Sequence, residues 1–467
     1  MATLTFLGAA QQVTGSCYLL ETPALGRVLL DCGLHQGGDV DEGELNTPLT
    51  FMPRTIDAVI LSHAHLDHSG LLPILVHQGF SGGIYCTKTT AKLLRIMLND
   101  AFGLYERDLE YANLRRMRRG DKPVKPAYNK RDVQKVLDLC EPISYGECLP
   151  LGGGATLCFH DAGHILGSAI IELKFPDANK RRTLVFSGDL GKRGSVLMED
   201  PEMLEHADVV LMEGTYGNRD HKPMEETLAQ FEEILHDTWE KKGNVMIPAF
   251  AVGRTQDLLF YLGQLHNAGK LDPWQVFLDS PMAIEVTKIY EDCSDLIAPE
   301  DGCRLRTDLS SSMQSFLPRL RYAMTPDDSR AINRVTHGAI IIAGSGMCTG
   351  GRIRHHFKQR IWNARNTIIF AGFQARGTLG RRIVDGAQKI SMFGAEFAVR
   401  ARVETLNGFS AHAGQSELVD WITHFRDSPR VFLVHGEPDA LEVLSQKLWL
   451  EKRLATETPY PGQKVGF

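Results

Sequence analysis

The stretch His63-Ala-His65-Leu-Asp67-His68 places three imidazoles and a carboxylate within six positions. Nitrogen and carboxylate oxygen are the donors a zinc-like cation takes, and a chain with 17 histidines in 467 residues has little reason to crowd three of them together. The stretch is therefore read as a metal site. It supplies four donors, whereas two cations sharing a water need about six or seven. The remaining candidates are His164 in Asp161-Ala-Gly163-His164, Asp189 in Ser187-Gly188-Asp189, and His435 in His435-Gly436-Glu437. Asp31, Glu213 and His412 stand in similar settings, in Asp31-Cys-Gly33, Glu213-Gly-Thr-Tyr216-Gly217 and Phe409-Ser410-Ala411-His412. Taken singly, Asp31, His412 and His435 are as well explained as turn or helix caps.

Each of these side chains must be carried to one place by the element before it. Apolar runs predict strands over 4–7, 16–21, 27–30, 58–61, 155–160, 169–175, 183–186, 209–212 and 431–434. Most of the candidates recur at the carboxyl ends of those runs beside a glycine. In an α/β fold the loops converge there while the sheet holds them rigid. Helical spacing predicts helices over 89–111, 225–241 and 415–425. The middle of the chain changes character: 245–247 leads into Gly253-Arg254-Thr255, 339–343 into Gly344-Ser345-Gly346, and 367–371 into Gly377-Thr378-Leu379-Gly380. These strand-turn-helix units predict a doubly wound α/β unit on a parallel sheet, with glycine-rich turns that offer N–H groups to phosphate. None is a Walker A loop, and the segment 293–330 shows no clear period.

The composition, 43% hydrophobic and 23% charged, is that of a soluble globular protein long enough for two domains. No apolar run reaches membrane-spanning length and the N-terminus lacks signal-peptide character, so a cytoplasmic location with no membrane partner is expected. Nine cysteines, an odd number with no Cys-x-x-Cys pair, are expected to be reduced thiols. A net charge of −6 argues against a protein that coats nucleic acid with its whole surface. A polyanion would have to meet a metal or a local basic patch such as Arg115-Arg116-Met117-Arg118-Arg119 through Lys130-Arg131.

In order and spacing, Asp31, His63-x-His65-x-Asp67-His68, His164 and Asp189 resemble the metallo-β-lactamase superfamily. Glu213-Gly-Thr-Tyr-Gly, Ser410-Ala-His412 and Leu433-Val-His435-Gly-Glu resemble the three further motifs of the β-CASP nucleases, the branch that includes the messenger-RNA 3′-end endonuclease. Similarity in Pro248-Ala-Phe-Ala-Val-Gly253-Arg254, Asp279-Ser-Pro-Met282, Ser345-Gly-Met and Gly377-Thr-Leu-Gly extends it over nearly the whole chain. The implied fold is an αββα sandwich formed by 1–216 and 404–467, with a doubly wound α/β β-CASP domain, 217–403, inserted as a lid.

The resemblance also implies roles. His63, His65 and His164 would hold one zinc ion, Asp67, His68 and His435 a second, and Asp189 would bridge them; manganese is the alternative metal. Asp31 would orient a ligating imidazole. His412, backed by Glu213, would protonate the leaving oxygen, and Asp67 and Asp189 would share in catalysis through the metals. The implied activity is a ribonuclease, endonucleolytic, cutting single-stranded RNA to 5′-phosphate and 3′-hydroxyl ends. Arg254, Ser345, Gly346, Gly377, Thr378 and Ser410 are the candidate substrate contacts, and Arg352, Arg354, Arg376, Arg381 and Arg382 candidate linings of an RNA path. Competing readings are a DNA nuclease of the same family, a thioester or lactam hydrolase on the same metal core, and a non-catalytic RNA-binding scaffold. A homodimer is left open. So little chain flanks the motifs that neither an appended N-terminal RNA-binding domain nor a long C-terminal tail is expected.

Overall fold

Alternation of apolar side chains decides the layers. In the computed structural model, which describes residues 1–35, 49–178, 180–293 and 312–467, seven strands form a first sheet. These are β1 (Thr3–Gly8), β2 (Cys17–Thr22), β3 (Gly26–Leu30), β4 (Ala58–Ile60), β5 (Gly83–Thr87), β6 (Cys140–Ile143) and β22 (Lys464–Gly466), in the order β22-β1-β2-β3-β4-β5-β6. The second sheet holds β7 (Cys148–Gly152), β8 (Ala155–Asp161), β9 (Ala169–Asp177), β10 (Lys180–Phe186), β11 (Val209–Glu213), β20 (Arg430–Val434) and β21 (Thr456–Glu457), in the order β21-β20-β11-β10-β9-β8-β7. Leu4, Phe6, Tyr18, Leu20, Val28 and Leu30 of the first sheet meet Phe159, Ile171, Leu184, Phe186, Leu211 and Phe432 of the second. Because strand side chains alternate, Leu19, Leu29 and Val59 turn the other way, onto the helix Lys88–Arg118. Ile170, Val185, Val210 and Leu433 likewise face the helices Gln415–Thr423 and Pro438–Lys452. The layers are helix, sheet, sheet, helix.

Between β11 and β20 the chain builds the inserted unit. Its six-stranded parallel sheet uses β12 (Val245–Pro248), β13 (Gln275–Asp279), β14 (Leu320–Tyr322), β15 (Ala339–Ala343), β16 (Thr367–Phe370) and β19 (Arg402–Thr405), ordered β14-β13-β15-β12-β16-β19. The chain steps outward from β12 to β14, returns to β15 and continues to the opposite edge, which is double winding; between β16 and β19 it forms a separate antiparallel hairpin of β17 (Lys389–Met392) and β18 (Ala395–Ala398). Ile340 and Ile342 pack on one face and Ile341 on the other, so the unbroken apolar run 339–343 reports a strand covered on both sides. The strand β14 carried no periodic signal because three residues at a sheet edge are too few to show one. The part of 293–330 spanning 294–311 lies outside the described residues.

The two units share apolar packing. Leu94, Ile165 and Leu166 of the sandwich belong to the same cluster as Leu259 and Tyr290 of the insert. Gly253, at φ +80°, lies so close to Ile165 that a Cβ would come 2.8 Å from its Cγ2, and the Leu166 amide donates to the Tyr290 hydroxyl at 3.3 Å. The helix predicted over 89–111 runs further, Lys88–Arg118.

The expectation that all cysteines are reduced is overturned for one pair. Cys148 and Cys158 form a disulfide, because the antiparallel register of β7 and β8 sets them directly opposite with their Cα atoms 4.4 Å apart. A separation of ten residues gives no sign of that pairing until the hairpin register is known. Cys17, Cys32, Cys86, Cys140, Cys293 and Cys348 are free thiols, and Cys303 lies outside the described residues. Among the described residues no helix is long and apolar enough to cross a membrane.

Candidate active site

The six-residue cluster begins where β4 ends, and a short helix, Leu66–Ser69, turns Asp67 and His68 toward His63. Asp31 ends β3 in the left-handed region, φ +59°, and is fully buried. Its Oδ1 accepts the Ser62 amide at 2.8 Å, and its Oδ2 accepts the Ser62 hydroxyl at 2.8 Å and lies 2.6 Å from His68 Nδ1. Asp31 thus holds one ring nitrogen of His68 and leaves Nε2 to the site. Since the Ser62 hydroxyl proton goes to the carboxylate, its oxygen accepts from His63 Nδ1 at 3.0 Å, which leaves His63 Nε2 a lone pair. Thr215 treats His435 in the same way: its hydroxyl donates to the His435 carbonyl at 3.1 Å and lies 3.2 Å from Nδ1. His435 also sits at positive φ, +47°, so both it and Asp31 are held in a conformation few side chains adopt freely.

Asp189 stands between the rings. Its Oδ2 is 3.6 Å from His63 Nε2, 3.6 Å from His164 Nε2 and 3.3 Å from His68 Nε2, and its Oδ1 is 3.4 Å from His435 Nδ1. His435 Nε2 lies 3.7 Å from Asp67 Oδ2. Donor atoms of His63, His65, His164 and Asp189 fall within 4.8 Å of one another, as do those of Asp67, His68 and His435. Nε2 of His68 and His435 and Oδ1 of Asp189 are buried and make no hydrogen bond, while Nδ1 of His65 faces Nε2 of His63 and of His164 at 3.0 and 3.4 Å. Buried polar atoms are rarely left so, and this convergent set fits cations as the missing partners. Burial pushes the His63, His65 and His164 imidazoles below the ordinary histidine range, keeping them neutral as ligands must be. For His68 burial acts the same way, but the charges of Asp189 and Asp31 outweigh it and raise the ring well above that range. The carboxylates there call for positive charge.

His412 borders this cluster, its ring centroid 4.5 Å from that of His164. Its Nδ1 lies 3.0 Å from Glu213 Oε1, and Glu213 is fully buried. Burial lowers the His412 imidazolium, but the charge and hydrogen bond of Glu213 outweigh it, helped by Asp189 and Asp67, so the net shift is upward. The loop carrying His412 is fixed against the loop carrying Asp189: Gly191 and His412 form an antiparallel bridge, and the Ala413 amide donates to the Leu190 carbonyl at 2.8 Å. His221 holds it from the other side, its Nε2 donating to the His412 carbonyl at 2.9 Å. Burial lowers the His221 imidazolium to about 4, so this ring is neutral.

The candidate substrate contacts divide. Ser345 and Gly346 end β15 in a loop packed on Phe250, whose ring lies 6.1 Å from that of His65. Gly377 and Thr378 open the helix Leu379–Val384 that follows β16, where the Thr378 hydroxyl donates to Ala375 O at 2.7 Å and accepts the Arg381 amide. Arg254 is buried and paired with Asp257 at 3.0 Å. Ser410 is buried, with its hydroxyl accepting the His412 amide at 3.3 Å, so it braces that loop. Arg352 is held by Asp279 at 2.6 Å, Arg376 by Asp439 at 2.7 Å and Arg381 by Asp385 at 2.8 Å, while the Arg354 guanidinium lies 5.1 Å over the Phe393 ring. Ser62, Thr215 and His221 were not singled out from the sequence. Ser62 immediately precedes the cluster and Thr215 lies within a motif, which are usable signals; His221 carries none.

A sandwich with these donors at its strand ends defines a metal-dependent hydrolase of the metallo-β-lactamase superfamily, whose profile matches residues 11–166. A Beta-Casp domain profile matches 255–383, and that of the Zn-dependent metallo-hydrolase RNA specificity domain matches 396–459. The chain is 39% identical to a protein named ribonuclease TTHA0252 from Thermus thermophilus, over 95% of both chains. It is 31% identical to the transcription termination factor FttA of Methanothermobacter thermautotrophicus, over 98% of this chain and 70% of that one. A crystal structure of a protein of unknown function from Enterococcus faecalis V583 covers 99% of both chains with a TM-score of 0.52 and 13% identity, a likeness of fold alone. The chain belongs to the β-CASP family of this superfamily.

Proposed function

We propose that the protein is a zinc-dependent endoribonuclease that hydrolyses single-stranded RNA to 5′-phosphate and 3′-hydroxyl ends. The observation that carries this reading is the pairing of half-buried His412 with fully buried Glu213 beside the cluster of metal donors. A thioester or lactam hydrolase needs the donors, but a departing ribose oxygen is a poor leaving group and needs a proton as well. The names of the relatives, a ribonuclease and a transcription termination factor, favour RNA.

His63, His65 and His164 would hold one cation, Asp67, His68 and His435 the other, and Asp189 both. Cations bound there would supply Lewis acidity, acidifying a water and offsetting phosphate charge. The remaining chemistry belongs to the chain. Glu213 accepts at both oxygens, from His412 and the Leu190 amide on Oε1 and from the Thr215 amide at 3.1 Å on Oε2, so its charge is fixed in place. That charge keeps a proton on His412, whose Nδ1 it engages, leaving Nε2–H for the leaving oxygen. Asp31, Ser62 and Thr215 set the imidazole tautomers before substrate arrives.

Incubating the zinc-loaded protein with matched labelled RNA and DNA single strands and with a thioester tests the reading. RNA cleavage to the stated ends is the expected result. Thioester turnover without RNA cleavage sinks it, and equal cleavage of DNA removes the RNA specificity.

A further inference from the structure

The helix Lys88–Arg118 starts at the active site and ends far from it. At its start, the Thr87 and Thr90 hydroxyls donate to the Gly167 carbonyl at 2.7 and 2.8 Å, three residues beyond His164. With ~1.5 Å of rise per residue, its last turn stands roughly 40 Å away. The distal half is built as a firm arm with the following segment: Tyr105 and Tyr128 stack at 4.9 Å, and Asn113 clamps Val124 with hydrogen bonds of 3.0 and 2.7 Å.

The charge at the far end of this arm is one-sided, the acids of the helix, Asp100, Glu106, Asp108 and Glu110, lying nearer its start. Residues 111–131 hold eight lysines and arginines against one acid, Asp121, in a chain whose net charge is −6. None of the eight forms an ion pair with a carboxylate among the described residues. Surfaces kept only for solubility mix signs, whereas an unpaired field of one sign is the footprint of a polyanion site. Leu104, Arg107, Tyr111, Arg115 and Arg118 follow one another at intervals of three and four, so they share one helix face. Tyr111 is 59% exposed and the Arg115 guanidinium lies 4.3 Å over its ring, joining a flat aromatic surface to a phosphate-binding group.

We propose that this arm is a second contact surface for single-stranded RNA, engaging the backbone and stacking bases outside the metal site. The inference rests on the reading of RNA as substrate. Phosphate contacts give affinity without base specificity, so the arm adds binding to long strands and nothing to short ones that end within the cleft.

The test replaces Arg115, Arg118, Arg119 and Lys122 together with glutamine, which keeps helix propensity and leaves the active site untouched. For a 30-nucleotide RNA, KM should rise about tenfold with kcat kept, and the slope of log(kcat/KM) against log salt should flatten by about 3. A six-nucleotide RNA should be cut equally well by both proteins. Binding of the same 30-mer, read by fluorescence anisotropy in a His412→Ala background, reports on the arm even if the wild type cuts no RNA. Loss of affinity there with no wild-type cleavage leaves the arm standing and removes the proposed activity. Unchanged affinity and salt slope overturn the inference and leave the patch as a solvated face or a site for an acidic protein. Equal loss on long and short RNA also overturns it.

Discussion

Glu213 Oε1 accepts the Leu190 amide at 2.8 Å and lies 3.0 Å from His412 Nδ1, so a single oxygen ties His412 to the residue that follows Asp189. The strand end that carries the central carboxylate and the loop that carries the proton donor cannot drift apart without breaking that link.

Removing the Glu213 charge should therefore act on proton affinity. The carboxylate raises the His412 pKa against the opposing effect of burial. A general acid works protonated, so kcat falls as pH rises through that pKa. In Glu213→Gln the fall moves to lower pH, and kcat at neutral pH drops. A kcat–pH profile measures this, and an alkaline limb that stays in place contradicts it.

Asp31→Asn weakens the hold on His68 Nδ1 while keeping its volume. Loss of such a partner costs ~10 to 100-fold in metal affinity. Competition with a chelator should show weaker zinc retention, and excess zinc should restore most of the cleavage. Full retention would mean the His68 orientation is set elsewhere.

His221→Phe keeps an aromatic ring beside Tyr216, centroids now 4.4 Å apart, and removes the hydrogen bond to the His412 carbonyl. A small displacement of a proton donor costs roughly 10 to 100-fold, so kcat should fall within that range. KM and bound zinc should stay as in the wild type; a change in KM alone would give His221 a different role.

Replacing Cys148 and Cys158 by serine opens a covalent link across ten residues, and chain entropy puts the loss at ~2 to 3 kcal/mol. Thermal or denaturant unfolding of the oxidised protein should show it, with cleavage unchanged.

Much of this site was legible because metal donors are chemically distinctive and the strands that deliver them alternate. His63 to His68, His164, Asp189 and His435 each follow a strand, and the structure brings all of them together. What was not legible depends on pairings between distant segments. The Cys148–Cys158 bond follows from hairpin register, and His221 meets His412 across 191 residues. Arg254 and Ser410 sit in motifs that suggested exposure to substrate, yet an Asp one helical turn away and a backbone amide claim them. Such local competition for a polar group is invisible in spacing.

The most direct test is single-turnover cleavage of labelled single-stranded RNA by His412→Ala loaded with the wild-type complement of zinc. Loss of the proton donor with the metal donors intact should slow cleavage by roughly 10² to 10⁴. Cleavage at the wild-type rate would contradict the assignment of His412 and, with it, the division of the site into a metal cluster and a separate acid.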